Sequence, residues 1–225
     1  MATVEFPSNG STAPGYLAVP TSGSGIPVVV LQEWWGVDEH IRDVCDRFAA
    51  EGFVALAPDL YRGETTDQPD EAEQKMMALS MDQAARDMRG AVDFISDHEA
   101  AQGKGVGSVG FCLGGALSVW TASVNPKVKA SVVYYYVMPH GKPDFTKVRA
   151  PVLGHFGTGD DFVPVSDAHA LEKQMRDAGV DANFEYYEGK GHAFFNDTNR
   201  LGTYDEQAAQ QSWKKTLDFL RAQLA

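Results

Sequence analysis

The sequence predicts an α/β fold: a mostly parallel central sheet with helices packed on both faces. Three observations carry that reading. Short runs rich in valine, alanine and aromatics alternate with longer stretches of helical periodicity, the pattern of strands joined by crossover helices. Several runs, VVVLQ and FVALAP among them, are apolar without alternation, as strands covered on both faces must be. The 225 residues, 44% hydrophobic and 22% charged, suffice for one sizeable domain spanning 1–225, and no repeat, low-complexity tract or linker divides them.

The elements follow in order. VEFP and GYLAVP, set about a polar turn in the first twenty residues, read as an antiparallel hairpin on the sheet edge. VVVLQ (28–32) is the first long strand. In 38–51 the apolar residues Ile41, Val44, Cys45, Phe48 and Ala49 recur at helical spacing, with Asp38 as N-cap and Gly52 just past the end. FVALAP (53–58) is a strand, and 69–99 reads as one long helix or two short ones. Strands at 105–111, 129–136, 151–157 and 182–188 then alternate with helices at 114–124, 166–178 and 206–224.

Composition narrows the function classes. A net charge of −12 argues against a nucleic-acid or anionic-membrane partner. No apolar run approaches the roughly 18 residues that cross a bilayer. MATVEFPSNG has neither the basic start nor the apolar core of a signal peptide, so a cytoplasmic protein is expected. The two cysteines, Cys45 and Cys112, form no disulfide framework, and no Cys/His cluster has zinc spacing. Cys45 lies on the apolar stripe of its helix and reads as buried and inert.

Cys112 stands differently. Gly110-Phe111-Cys112-Leu113-Gly114 joins an apolar strand to a helix with the spacing of a nucleophile elbow, holding a thiol where a hydroxyl is usual. Such a turn strains its central residue and projects the side chain from the carboxyl end of the sheet. The dipole of the following helix favours a thiolate there, and the Leu113 amide is placed to donate to an oxyanion. Glycines that merely permit close strand–helix packing would look the same, so the partners decide. A base and an orienting acid should follow in that order, acid before histidine. His155 sits inside a strand and reads as a core residue; His140 is a possible base. His192, in the Gly-flanked loop EGKGHAFFND, lies where the histidine of such a fold belongs. Asp160 and Asp161 both follow the strand PVLGHFG and both fit the acid.

With VVVLQEWWGV, APDLYRG, GFCLGG, GTGDDFVPV and GHAFFND in sequence, nearly the whole chain resembles the dienelactone hydrolase family, carboxymethylenebutenolidase-like α/β-hydrolases with an elbow cysteine. The resemblance implies an α/β-hydrolase fold and a triad of Cys112, Asp160 and His192. It selects Asp160 because the family's acid directly precedes a residue followed by F-V-P. It also implies that Glu33 lies near the cysteine and tunes its ionisation, and that the Trp34 amide joins that of Leu113 in an oxyanion hole. The implied reaction opens a lactone or activated ester, with dienelactone as the leading substrate, through a thioester and with no metal or organic cofactor. A monomer or weak homo-oligomer acting on a small molecule is the expected assembly.

The sequence departs from the family at the substrate carboxylate. Where arginines are expected, the helix around PDEAEQKMMAL offers Lys75, and the stretch after the histidine offers Asn196 and Arg200. A lysine lacks the bidentate fork of arginine. Tyr135 and Phe194 complete the candidate substrate-binding set. Met76, Met77, Met81, Met88 and Tyr134–Tyr136 are candidates for a more apolar pocket wall. A wider carboxylesterase or thioesterase, a non-catalytic small-molecule receptor and a redox-sensing thiol are the alternatives.

Overall fold

The computed structural model describes residues 2–8 and 10–225. Eight strands form one sheet: β1 (Ala2–Ser8), β2 (Ser11–Ala18), β3 (Ile26–Leu31), β4 (Phe53–Pro58), β5 (Val106–Phe111), β6 (Val128–Tyr134), β7 (Val152–Gly157) and β8 (Ala182–Tyr187). Their spatial order is β1-β2-β4-β3-β5-β6-β7-β8. The N-terminal hairpin pairs antiparallel onto β4, and every pairing from β4 to β8 is parallel. Met1 and Asn9 lie outside the described residues.

Six α-helices flank the sheet: α1 (Glu39–Ala50), α2 (Pro69–Ala78), α3 (Met81–Ser96), α4 (Leu113–Val124), α5 (Val165–Asp177) and α6 (Glu206–Leu224). Alternation along β3 sorts the two cores. Val28 and Val30 pack with Ile41, Phe48 and Leu220 of α1 and α6, whereas Val29 and Leu31 pack with Met88, Val92 and Leu117 of α3 and α4. The five apolar positions that predict α1 are all buried, and Asp38 caps it by accepting from the Ile41 amide at 3.1 Å. Cys45 lies on that stripe, fully buried, and burial drives its thiol far above the ordinary range.

Two predicted boundaries resolve into physical detail. Residues 69–99 form two helices, because Leu79 leaves the helical region and Ser80 caps a new start by accepting from the Gln83 amide. The strand predicted over 129–136 ends at Tyr134: Tyr135 takes φ 37°, while its amide donates to the His155 carbonyl oxygen at 2.9 Å. The following tyrosines therefore leave the sheet at its carboxyl end. Among the described residues no helix is long and apolar enough to cross a membrane.

Candidate active site

The loops after β3, β5, β6, β7 and β8 meet beyond the carboxyl ends of the strands, where open α/β sheets place their sites. Cys112 sits between β5 and α4 with φ 55° and ψ −117°, a conformation that L residues rarely adopt. The surrounding hydrogen bonds hold it there. Its amide donates to the Tyr134 carbonyl oxygen at 3.1 Å, and its own carbonyl oxygen accepts from Gly115 at 2.9 Å and Val137 at 3.1 Å. Two glycines make the turn sterically possible. A Cβ on Gly110 would collide with the Gly114 carbonyl, and one on Gly114 with the carbonyl oxygens of Leu31 and Gln32. Leu113 opens α4, so its N–H is one of the helix's free donors.

The acid and the histidine arrive on two loops that are stitched together. The Thr158 amide donates to the Tyr187 carbonyl oxygen at 3.0 Å, the Gly159 amide to Lys190 at 3.0 Å, and the Gly189 amide to Thr158 Oγ1 at 2.8 Å. Asp160 Oδ1 accepts from the amides of Phe162 and Val163, both at 2.8 Å, which fixes the carboxylate. Its Oδ2 lies 2.8 Å from His192 Nδ1. That contact leaves Nε2 as the ring nitrogen available to Cys112. Asp161 is exposed and takes no part in it.

His192 is 4% exposed, and burial alone would strip its proton. The negative charge of the adjacent Cys112 sulfur and the hydrogen bond to Asp160 outweigh that, and the imidazole is pushed up to about 10.

Glu33 is only 2% exposed. Its carboxylate is met from two sides: Tyr135 Oη donates to Oε1 at 3.3 Å and Asn196 Nδ2 to Oε2 at 2.7 Å. Burial first, and then the neighbouring Glu33 and Cys112, hold the Tyr135 hydroxyl well above its ordinary range, so it stays a donor to Glu33. The Tyr135 ring also stands edge-on to that of His192, with centroids 4.9 Å apart. The Trp34 amide, next to Glu33, donates to no protein carbonyl among the described residues.

A model of the dienelactone hydrolase family matches residues 13–224. The chain belongs to that family. It is 37% identical to Protein usf of Aquifex pyrophilus, over 98% of each chain. It is 34% identical, again over 98% of each, to an Aquifex aeolicus chain provisionally assigned as a carboxymethylenebutenolidase. Among solved structures, a provisionally assigned dienelactone hydrolase from Klebsiella pneumoniae superposes with a TM-score of 0.87 at 29% identity, covering 98% of this chain and 97% of that one. A dienelactone hydrolase-like promiscuous phosphotriesterase from metagenomic libraries shares the fold, with a TM-score of 0.87 at 22% identity, covering 100% of this chain and 98% of that one. As a dienelactone hydrolase family member with an α/β-hydrolase fold, this chain is an ester hydrolase.

The candidate substrate-binding residues of this dienelactone hydrolase family member are less free than their sequence suggests. Lys75 pairs with Glu64. Arg200 pairs with Asp38 at 2.7 Å and lies over the Trp35 ring. Asn196 and Tyr135 are spent on Glu33. Phe194 is fully buried against Tyr134, Tyr135 and Tyr187 and presents no face to a substrate. Of the other histidines, His140 bonds the Met76 carbonyl at 2.7 Å. His155 is a core residue between Tyr187 Oη and Thr216 Oγ1. Of the methionines, Met76 and Met88 are buried and Met77 is exposed. One neighbour escaped the sequence reading. Phe162, two residues after Asp160, lays its ring against His192 at 4.9 Å. Its position in GDDFVP was the available signal.

Proposed function

We propose that this chain is a cysteine-dependent hydrolase of lactones or activated esters that works through a thioester on Cys112. The observation that carries the reading is the strained Cys112 at the head of α4, beside a His192 whose Nδ1 is fixed by Asp160 at 2.8 Å. The Cys112 thiolate attacks the ester carbonyl carbon, and the amides of Leu113 and Trp34 receive the oxyanion. As the tetrahedral intermediate collapses, the carbon–oxygen bond breaks and imidazolium His192 gives its proton to the departing oxygen. Water then attacks the thioester with neutral His192 as base, releasing the acid and restoring the thiol. A thiolate expels a stabilised enolate or phenolate readily and an ordinary alkoxide poorly, so an activated leaving group is part of the reading. Dienelactone (4-carboxymethylenebut-2-en-4-olide), an enol lactone opened to maleylacetate, exemplifies that chemistry and is the reference lactone. Two free, buried cysteines, one of them reactive as thiolate, fit the reducing cytoplasm.

The test follows dienelactone opening and vinyl acetate hydrolysis with wild type and Cys112→Ala, alongside acid-quench mass spectrometry. Turnover of either substrate should fall by about 10³-fold or more in the variant. The wild type should show an acetyl adduct on the Cys112 peptide. Full turnover by Cys112→Ala would overturn the reading.

A further inference from the structure

Beside the nucleophile runs a groove of about 440 Å³, lined by Tyr136, Val137, Met138, Phe162, Leu171 and Asp167. That volume falls within the usual range for small-molecule sites. Two of its lining residues, Val137 and Phe162, touch the candidate catalytic residues directly. The Val137 amide donates to the Cys112 carbonyl oxygen at 3.1 Å, and the Phe162 ring packs on His192 at 4.9 Å. Phe162 is nevertheless 59% exposed, an unusual state for a phenylalanine whose own amide anchors the acid. A ligand lying along the groove would cover it.

The position relative to His192 says which part of the substrate lies there. The departing oxygen must stand beside the ring that protonates it, so whatever that oxygen carries extends past Phe162 into the groove. The lining then says what that part can be. Its walls are largely apolar, formed by Tyr136, Val137, Met138, Phe162 and Leu171. The charged side chain on the lining is Asp167, which repels an anion. Lys142 reaches the rim, where it bonds the neutral Gln174 amide oxygen at 2.8 Å, while Arg62, Lys75 and Arg200 are paired with Asp87, Glu64 and Asp38 and line none of the groove. A carboxylate carried on the leaving group, as in dienelactone, would lose its water against apolar walls and face the Asp167 carboxylate there.

We propose that the groove along Phe162, Leu171 and Asp167 is the leaving-group subsite, and that it selects neutral, apolar aryl or enol esters over carboxylate-bearing ones. The proposal rests on the cysteine-hydrolase reading and names its substrate class.

The test compares methyl 3-acetoxybenzoate with 3-acetoxybenzoate, each kcat/KM normalised to the ester's own hydroxide-catalysed rate. Vinyl acetate, too small to fill the groove, serves as a control. Wild type should favour the neutral ester by about tenfold or more. Asp167→Lys, a substitution at an exposed helix position, should narrow that gap severalfold by raising turnover of the anionic ester. Leu171→Arg should lower turnover of the neutral aryl ester by a larger factor than that of vinyl acetate. Equal or inverted preference in the wild type, or a gap unmoved by Asp167→Lys in a folded protein, overturns the groove assignment. Vinyl acetate turnover that survives Cys112→Ala would instead sink the cysteine mechanism, so the two failures are distinguishable.

Discussion

Asn196 Nδ2 donates to Glu33 Oε2 at 2.7 Å, joining the loop after β8 to the loop after β3 across the candidate active site. Both residues are buried, so the carboxylate depends on Asn196 and Tyr135 for its solvation. Removing one donor leaves a buried charged oxygen unpaired, at a cost of about 1–3 kcal/mol. Asn196→Ala should therefore lower the thermal midpoint by several degrees. Asn196→Asp should do so more severely near neutral pH, because two carboxylates would then face each other. The discriminating readout is the pH dependence of the melt. Both deficits should shrink as pH falls and the buried carboxylate takes up a proton, the Asn196→Asp deficit by more, because there a proton is shared between two carboxylates. Equal deficits at all pH values would mean that Glu33 is solvated by other means.

The His192 imidazole is raised to about 10 by Cys112 and Asp160 against its burial, and the proposed mechanism makes its deprotonation an alkaline limit on activity. Its proton is needed by the leaving group, so kcat/KM should hold through neutral pH and fall as pH rises through about 10. Asp160→Asn removes the charge, and with its oxygen kept by the Phe162 and Val163 amides it turns a donor NH2 toward His192 Nδ1 in place of the acceptor. The descending limb should move to lower pH, and activity at neutral pH should drop by about 10²–10⁴-fold. A full pH–rate profile of both proteins checks this. A limb that stays in place would show that Asp160 does not control the histidine.

The elbow can be tested sterically. A Cβ on Gly114 would strike the carbonyl oxygens of Leu31 and Gln32, neither of which can swing aside like a flexible side chain. Gly114→Ala should therefore destabilise by about 2–3 kcal/mol, and it should disturb β3 as well as the elbow. Denaturant melts measure the first effect. Because Glu33 and Trp34 follow the displaced carbonyls, kcat/KM should fall even under conditions in which the variant remains folded. A variant as stable and active as wild type would mean that the strand–helix contact is looser than its geometry.

How much of this was legible in the sequence depends on the range of the interaction concerned. The strands and helices could be read because apolar runs and helical periodicity are local, and Asp38 and Ser80 cap helices through bonds to amides three residues on. Cys112, His192 and the Asp160–Asp161 pair could be placed together because each lies in a loop after a strand and the carboxyl ends of parallel strands converge, while the choice of Asp160 came from the family resemblance. The charge pairs could not. Lys75 and Arg200 look like free cations in the chain, but Glu64 and Asp38 reach them only once the loops are folded. Asn196 and Glu33 are separated by 163 positions, and no local pattern joins them. Tyr135 reads as one more strand residue in VVYYY, yet its φ of 37° turns it out of the sheet toward Glu33.

His155 provides a separate test of the core. It lies on β7, fully buried, with Nδ1 2.9 Å from Tyr187 Oη and Nε2 3.1 Å from Thr216 Oγ1. Burial, helped by Lys215, lowers it from 6.5 to about 3. Its folded value is depressed, so the unfolded chain binds the extra proton between those two values. The stability it contributes is present above pH 6.5 and is lost progressively as pH falls toward 3. At pH 4.5 the loss from this one residue is about 2–3 kcal/mol. His155→Gln keeps a donor and an acceptor near Tyr187 and Thr216 but cannot titrate. It should be somewhat less stable than wild type at pH 7.5, and the difference should narrow or reverse at pH 4.5. Urea melts of both proteins at the two pH values measure this directly. A constant difference would mean that His155 is not what makes this core acid-sensitive, whereas a closing gap would identify a buried neutral imidazole as a main source of its acid lability.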